Sequence, residues 1–171
     1  MGRTGHWLAH HSTDVVPDAV TLAKGLAGGV PIGALVTYGP DVTGLLSGGQ
    51  HGSTFGGNPL ACAAGLAVVH TIESDGLLQH ASELGAHLAD AVTGLGHPRI
   101  SGVRGRGLLI AITLTEPVAA SAMAVAREAG FLVNAVAPDA IRLAPPLILT
   151  QAQADTFVDA LPGILDAAVP A

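Results

Sequence analysis

The residues of this sequence that can do covalent chemistry begin with one lysine. Lys24 is the only lysine among 171 residues, the rest of the seven Lys+Arg being arginines. It stands in an apolar, glycine-rich stretch, VTLAKGLAGGVPIGALV, residues 20–36. Lysine is ordinarily a surface residue. At the end of a buried apolar strand its ammonium loses solvation, which disfavours the charged form and leaves a nucleophilic amine. The natural partner of such an amine is a carbonyl, giving a Schiff base. A lysine that merely snorkels out of the strand end is the plainer alternative.

The second constellation is HGSTFGGNP, residues 51–59. Ser53 and Thr54 offer hydroxyls, Gly56 and Gly57 allow close backbone approach, and Asn58-Pro59 opens a helix. Hydroxyls just ahead of a helix N-terminus can complete an anion cradle. No Gly-Lys-Ser/Thr follows, so this is not a Walker A loop. An ordinary capped helix start accounts for the same residues. The third is AIRLAPPLIL, where Arg142 lies in an apolar strand ahead of two prolines and reads as an arginine without a solvated face. A guanidinium matches a carboxylate with two parallel bonds. An internal salt bridge is the alternative. Together the three ask for a carbonyl compound bearing a phosphate and a substrate bearing a carboxylate. Pyridoxal 5′-phosphate with an amino acid meets that description.

Other chemistries find less support. His6, His10 and His11 cluster, and His80 and His87 share a helix, but no acidic or cysteine ligand sits at metal spacing and H-E-x-x-H is missing. These histidines read as solvated or capping, and no metal is expected. Cys62, the only cysteine, reads as a small buried hydrophobe. It cannot form an internal disulfide, which fits a reducing cytosol. GVRGRGLL fails the spacing of G-x-G-x-x-G and reads as a connection between strands.

Composition sets the frame. Hydrophobic residues make up 49% and aromatics only 3%, so the core must be aliphatic with glycine at close contacts. A net charge of −6 argues against nucleic acid or an anionic membrane surface as partner. The best apolar run, Leu60–Val69, has the length of a core helix rather than of a membrane span.

The elements that must position these groups follow from pattern. AVTLA (19–23) and PIGALVTYG (31–39) read as two buried strands. A helix opens at Asn58-Pro59 and closes at Gly76, with Cys62 on its apolar face. Residues 76–96 carry apolar positions at helical spacing. Beyond His97-Pro98 come two strands joined at the Arg/Gly stretch, a helix ending at Gly130, and two short strands around APDA. A last helix, capped by Thr150, is kinked or divided at Pro162. The expected organisation is an α/β segment 1–75, a connecting helix 76–97 and a small α+β unit 98–171.

GRTG (2–5), PDAVTLAKGLAGGVPIGA, HGSTFGGNPLACAAG, VRGRGLL and IRLAPPL occur in an order and spacing that resemble the class-III aminotransferases of fold type I. VNAVAPDAIRLAPPLIL resembles their acetylornithine branch. The likeness runs over the whole chain and matches the C-terminal part of the family. It implies an α/β fold made of part of the large-domain sheet plus a small α+β C-terminal domain. It also implies pyridoxal 5′-phosphate as cofactor, Lys24 as the Schiff-base lysine and proton shuttle, and Thr54 with Ser53 on the cofactor phosphate, reaching the neighbouring subunit's site. Arg142 resembles the arginine that holds the substrate α-carboxylate. An amino-acid donor, 2-oxoglutarate as acceptor, a homodimer and a cytoplasmic location follow from the same likeness. Ornithine, 4-aminobutyrate and succinyldiaminopimelate are the alternative donors. The family's phosphate loop, its ring-stacking aromatic and the carboxylate that pairs with the pyridine nitrogen belong upstream of MGRTG. A non-catalytic truncated remnant is therefore the second expectation.

Overall fold

A computed structural model describes residues 1–169. The chain forms two compact units, one of Met1–Gly2 with His6–Leu77 and one of Arg3–Gly5 with Leu78 onward.

In the first unit, β-branched and apolar residues give β1 (Ala19–Leu22) and β2 (Ala34–Thr37), paired antiparallel with Ala19 opposite Thr37 and Leu22 opposite Ala34. A 3₁₀ helix, Lys24–Ala27, follows β1, and a short helix α1 (Pro40–Thr43) follows β2. Helix α2 spans Pro59–Ser74. Its start is built as the sequence reads: Pro59 supplies a preset φ at the first position, and the Asn58 side chain accepts from the Ala61 N–H at 3.0 Å. The 3₁₀ helix lies against α2, where Gly65 admits the Leu26 carbonyl and the Ala27 methyl.

The two strands are not buried, contrary to the reading from their apolar runs. Most of their residues are exposed or half-exposed. A strand is buried by neighbours on both faces, and this ribbon has only two strands. Cys62 is likewise exposed rather than buried. The buried residues of α2 are Ala61, Gly65 and Ile72, and its remaining face carries Leu66 outward.

The second unit holds a continuous core. Strands β3 (Ile100–Arg106), β4 (Leu109–Leu114), β5 (Asn134–Ala137) and β6 (Ala140–Leu143) form an antiparallel sheet in the order β3-β4-β6-β5. Strict alternation in β4 sends Ile110, Ile112 and Leu114 to one side, where Ile141 and Leu143 of β6 join them. Helices α3 (Leu77–Gly94), α4 (Ala119–Glu128) and α5 (Gln151–Ala167) contribute to the same core. The α3 stripe read from sequence is there, with Ala81, Leu84 and Leu88 buried, and Val92 joins it. Helix α5 begins with a full capping box between Thr150 and Gln153. It runs through Pro162 as one helix rather than two. Histidines tie α3 to α5: His80 Nε2 meets the Leu149 carbonyl at 2.8 Å just ahead of α5, and His87 Nε2 meets Asp155 Oδ1 at 2.5 Å.

The tightest joint in this unit is between backbones. A Cβ at Gly85 of α3 would stand 2.1 Å from the Gly107 carbonyl oxygen in the β3–β4 turn. Gly107 itself has φ +51, and a Cβ there would meet the Arg3–Gly5 backbone at 2.6–2.8 Å. The Leu108 N–H donates to the Arg3 carbonyl at 2.9 Å. The Arg3 guanidinium donates in turn to the carbonyls of Leu108 and Pro145. Burial lowers its pKa from the ordinary arginine value by desolvation, and the two carbonyls are both met by Nη1.

Gly85→Ala should therefore destabilise the second unit by more than about 2 kcal/mol, because the clash is with backbone that cannot rotate away. Gly163→Ala, within α5 and with nothing within 4 Å of its Cβ, should instead stabilise it by about 0.5–1 kcal/mol. Urea unfolding of the two variants followed by circular dichroism checks both signs.

Candidate functional site

Lys24 opens the 3₁₀ helix directly after β1. It is the only non-glycine residue with a positive φ among the described residues, at +55°. A side chain in the left-handed region costs roughly 1–2 kcal/mol, so this conformation is held by what surrounds it. Ala23 before it is extended, and beyond it Leu26 and Ala27 are buried beneath α2. The left-handed step turns the chain from strand into that packed turn. The Lys24 side chain is exposed and has no hydrogen bond or ion pair among the described residues. The desolvation argued from the apolar sequence is thus not supplied by this chain's own residues. A strand that is itself exposed cannot bury the residue at its end.

Ser53 and Thr54 lie in the exposed loop that enters α2. The Ser53 hydroxyl oxygen accepts from the Gly56 N–H at 2.9 Å, closing the loop and leaving the hydroxyl proton to be donated outward. Thr54 Oγ1 has no partner among the described residues. The helix start beyond it is largely satisfied from within. Pro59 has no N–H, Ala61 is held by the Asn58 side chain, and the Cys62 N–H reaches the Asn58 carbonyl at 3.0 Å. The capped-helix reading of this stretch is realised. What it leaves for an anion is the pair of hydroxyls and the Leu60 N–H.

Arg142 is in the second unit, on β6. It is exposed, not enclosed, and its Nη2 donates to Asn134 Oδ1 of β5 at 3.2 Å. The strand's apolar residues made it look buried, but Ile141 and Leu143 point to the core and period-two alternation turns Arg142 to the opposite face. No carboxylate among the described residues pairs with it.

Lys24, Ser53 and Thr54 thus share one unit, joined through α2, while Arg142 belongs to the other. No hydrogen bond connects Lys24 to either hydroxyl. Arg3, whose role as a structural tie has no periodic signal, is the positioning residue that the sequence reading did not single out. A cleft of the second unit, lined by Leu88, Phe131, Pro145, Pro146, Gln153 and Phe157 among others, holds no titratable side chain and none of the candidate residues. Among the described residues there is no group of three His, Cys, Asp or Glu that could hold a metal ion, and no helix long and apolar enough to cross a membrane.

The donors of the first unit fit a phosphorylated aldehyde in kind: one amine and two hydroxyls whose protons are donated to nothing among the described residues. Comparison with known proteins identifies the family. The family model for class-III aminotransferases matches residues 1–165. The acetylornithine aminotransferase of Mycobacterium tuberculosis is 59% identical over the whole chain, and that of Streptomyces coelicolor 53% identical over 98% of it. In both cases the match spans 42% of the relative's own length. Among solved structures, the acetylornithine aminotransferase of Elizabethkingia anophelis superposes with a TM-score of 0.86 at 36% identity, over 95% of this chain and 42% of that one. The ornithine aminotransferase of Toxoplasma gondii does so with a TM-score of 0.86 at 32% identity, over 96% and 41%. The mixed α/β fold is therefore that of a C-terminal portion of these enzymes, and the chain belongs to the class-III aminotransferase family.

Proposed function

We propose that the protein works as an acetylornithine aminotransferase. It exchanges the amino group of N-acetylornithine with the keto group of 2-oxoglutarate, giving N-acetylglutamate semialdehyde and glutamate. The relatives named above support the substrates. The observation that carries the chemistry is Lys24, the sole lysine, with no partner among the described residues and on a strained backbone at a strand end. Strain of this kind collects at functional positions.

Bound pyridoxal 5′-phosphate would supply an aldehyde and an electron-withdrawing ring to the exchange. Lys24 would hold the aldehyde through its Nζ, and the same amine, when freed, would take the proton at the substrate Cα. Ser53 and Thr54 donate their hydroxyl protons to the phosphate. The Arg142 guanidinium, steadied by Asn134, takes the substrate α-carboxylate. Phe55 and Leu60, 83% and 74% exposed beside Thr54, give that loop an apolar surface suited to a partner. This supports a homodimer in which Thr54 serves the neighbouring subunit's site. The reading carries a cytoplasmic location with it, consistent with a single unpaired cysteine. Residues 1–75 then correspond to the cofactor-binding large domain, 76–97 to the connecting helix and 98–171 to the small domain.

Borohydride reduction of the protein with pyridoxal 5′-phosphate, followed by peptide mapping, should place a pyridoxyl group on Lys24. Labelling confined to the N-terminal amine, or none, sinks the assignment. The backbone can be tested separately. Lys24→Gly should be more stable than Lys24→Ala by about 1 kcal/mol, since only glycine relieves the left-handed strain. Equal thermal midpoints for the two variants would show that the residue is not held there.

A further inference from the structure

The outward face of the four-stranded sheet carries charge of one sign. Register places Arg104 of β3 opposite Ala111 of β4, Ala111 opposite Arg142 of β6, and Arg142 opposite Asn134 of β5. Residues directly opposite in neighbouring strands share a face, so Arg104 and Arg142 stand in one row with a single alanine between them. Two strand spacings separate their Cα atoms by about 9.5 Å. Arg106, one pleat along β3, faces the same way. Half of the chain's arginines therefore lie on this face, in a protein whose net charge is −6. The four strands contain no aspartate or glutamate, and the nearest acid in sequence, Asp139, sits in the turn beyond the end of the sheet. The residue between the arginines, Ala111, is small, as are those of the next row, Gly102, Thr113 and the buried Ala140. Thr113 spends its hydroxyl proton on the Gly102 carbonyl at 3.0 Å. Arg104 is exposed and has no hydrogen bond or ion pair among the described residues.

An unpaired guanidinium in an acid-free row is not there to hold the sheet together. Arg99, by contrast, is spent on structure: its Nη1 donates to the Leu165 and Ala168 carbonyls and its Nε meets Glu116 at 3.4 Å. We propose that the outward sheet face attracts small dicarboxylates, with Arg142 making the contact and Arg104 adding long-range attraction from two strands away without touching the ligand. This rests on the carboxylate role proposed for Arg142 and extends it to the acceptor side of the exchange, where both 2-oxoglutarate and glutamate carry two carboxylates. At about 10 Å in a solvated setting, one cation acting on a dianion changes affinity by about two- to fourfold, and salt removes the effect as the Debye length falls below that distance.

The test is calorimetric titration of the protein with 2-oxoglutarate at low and at high sodium chloride, for the native sequence, Arg104→Gln and Arg142→Gln. The surface exposure of both arginines lets the variants fold. The expected pattern is an Arg104→Gln affinity lower by about threefold at low salt and equal to the native value at high salt, with Arg142→Gln binding lost at both. If Arg104→Gln matches the native protein at low salt while Arg142→Gln fails, the attraction by Arg104 is wrong and the Arg142 role survives. If Arg104→Gln loses binding equally at both salts, it is a contact residue, and action at a distance is overturned. If neither substitution matters, or the native protein does not bind 2-oxoglutarate, the role of Arg142 falls as well.

Discussion

Period-two alternation in β4 and β6 is the constraint on which most of this molecule depends. It sends Ile110, Ile112, Ile141 and Leu143 into the core and, by the same geometry, turns Ala111 and Arg142 outward. One-residue slippage in either strand would bury a guanidinium among aliphatic side chains and expose the isoleucines, at a cost no local adjustment could offset. The register is thus over-determined by burial. The placement of Arg142 follows from the packing of its neighbours rather than from any bond of its own. Helices α3, α4 and α5 then have one side on which to dock, and the other side leaves Arg104 and Arg142 exposed.

The first unit is organised differently. Its helix α2 is pinned at the start by Asn58 and Pro59 and receives the 3₁₀ helix at Gly65, but it buries few side chains. What the unit has instead is specific backbone geometry: a left-handed lysine, a loop closed by Ser53 on Gly56, and two hydroxyls ahead of a capped helix. These are features of positioning more than of stability. A strained lysine on a lightly packed element is tolerable because the cost is only of order 1 kcal/mol.

Elements governed by local chemistry were legible in the sequence. Asn58-Pro59, the Thr150 cap and the apolar spacing of α3 all act within one or two helical turns, and each appears where the pattern put it. The strands β3 to β6 did too, because the Arg/Gly stretch and APDA interrupt short apolar runs. Burial was less legible. Cys62, Lys24 and Arg142 each sit in apolar text, and all three are exposed, because an apolar run reports what a segment could bury against and not whether that surface is present. The positive φ of Lys24 has no compositional mark. Arg3 was hidden for another reason: its partners lie 105 and 142 positions away, beyond any periodicity.

Those separations bear on how the molecule assembles. The tripeptide Arg3–Gly5 precedes in the chain the carbonyls it serves, and those at Leu108 and Pro145 emerge from the ribosome far later. The β3–β4 turn and the loop after β6 must form before the tripeptide has anything to bind. Closing so long a loop costs only slightly more than closing a short one, since the entropy grows with the logarithm of length, but it delays completion, because non-local contacts are made last. The second unit is in this sense closed by a piece of chain made long before the rest of it, and a backbone cut anywhere between Gly5 and Leu78 would leave that closing piece free to exchange with the same tripeptide from another molecule.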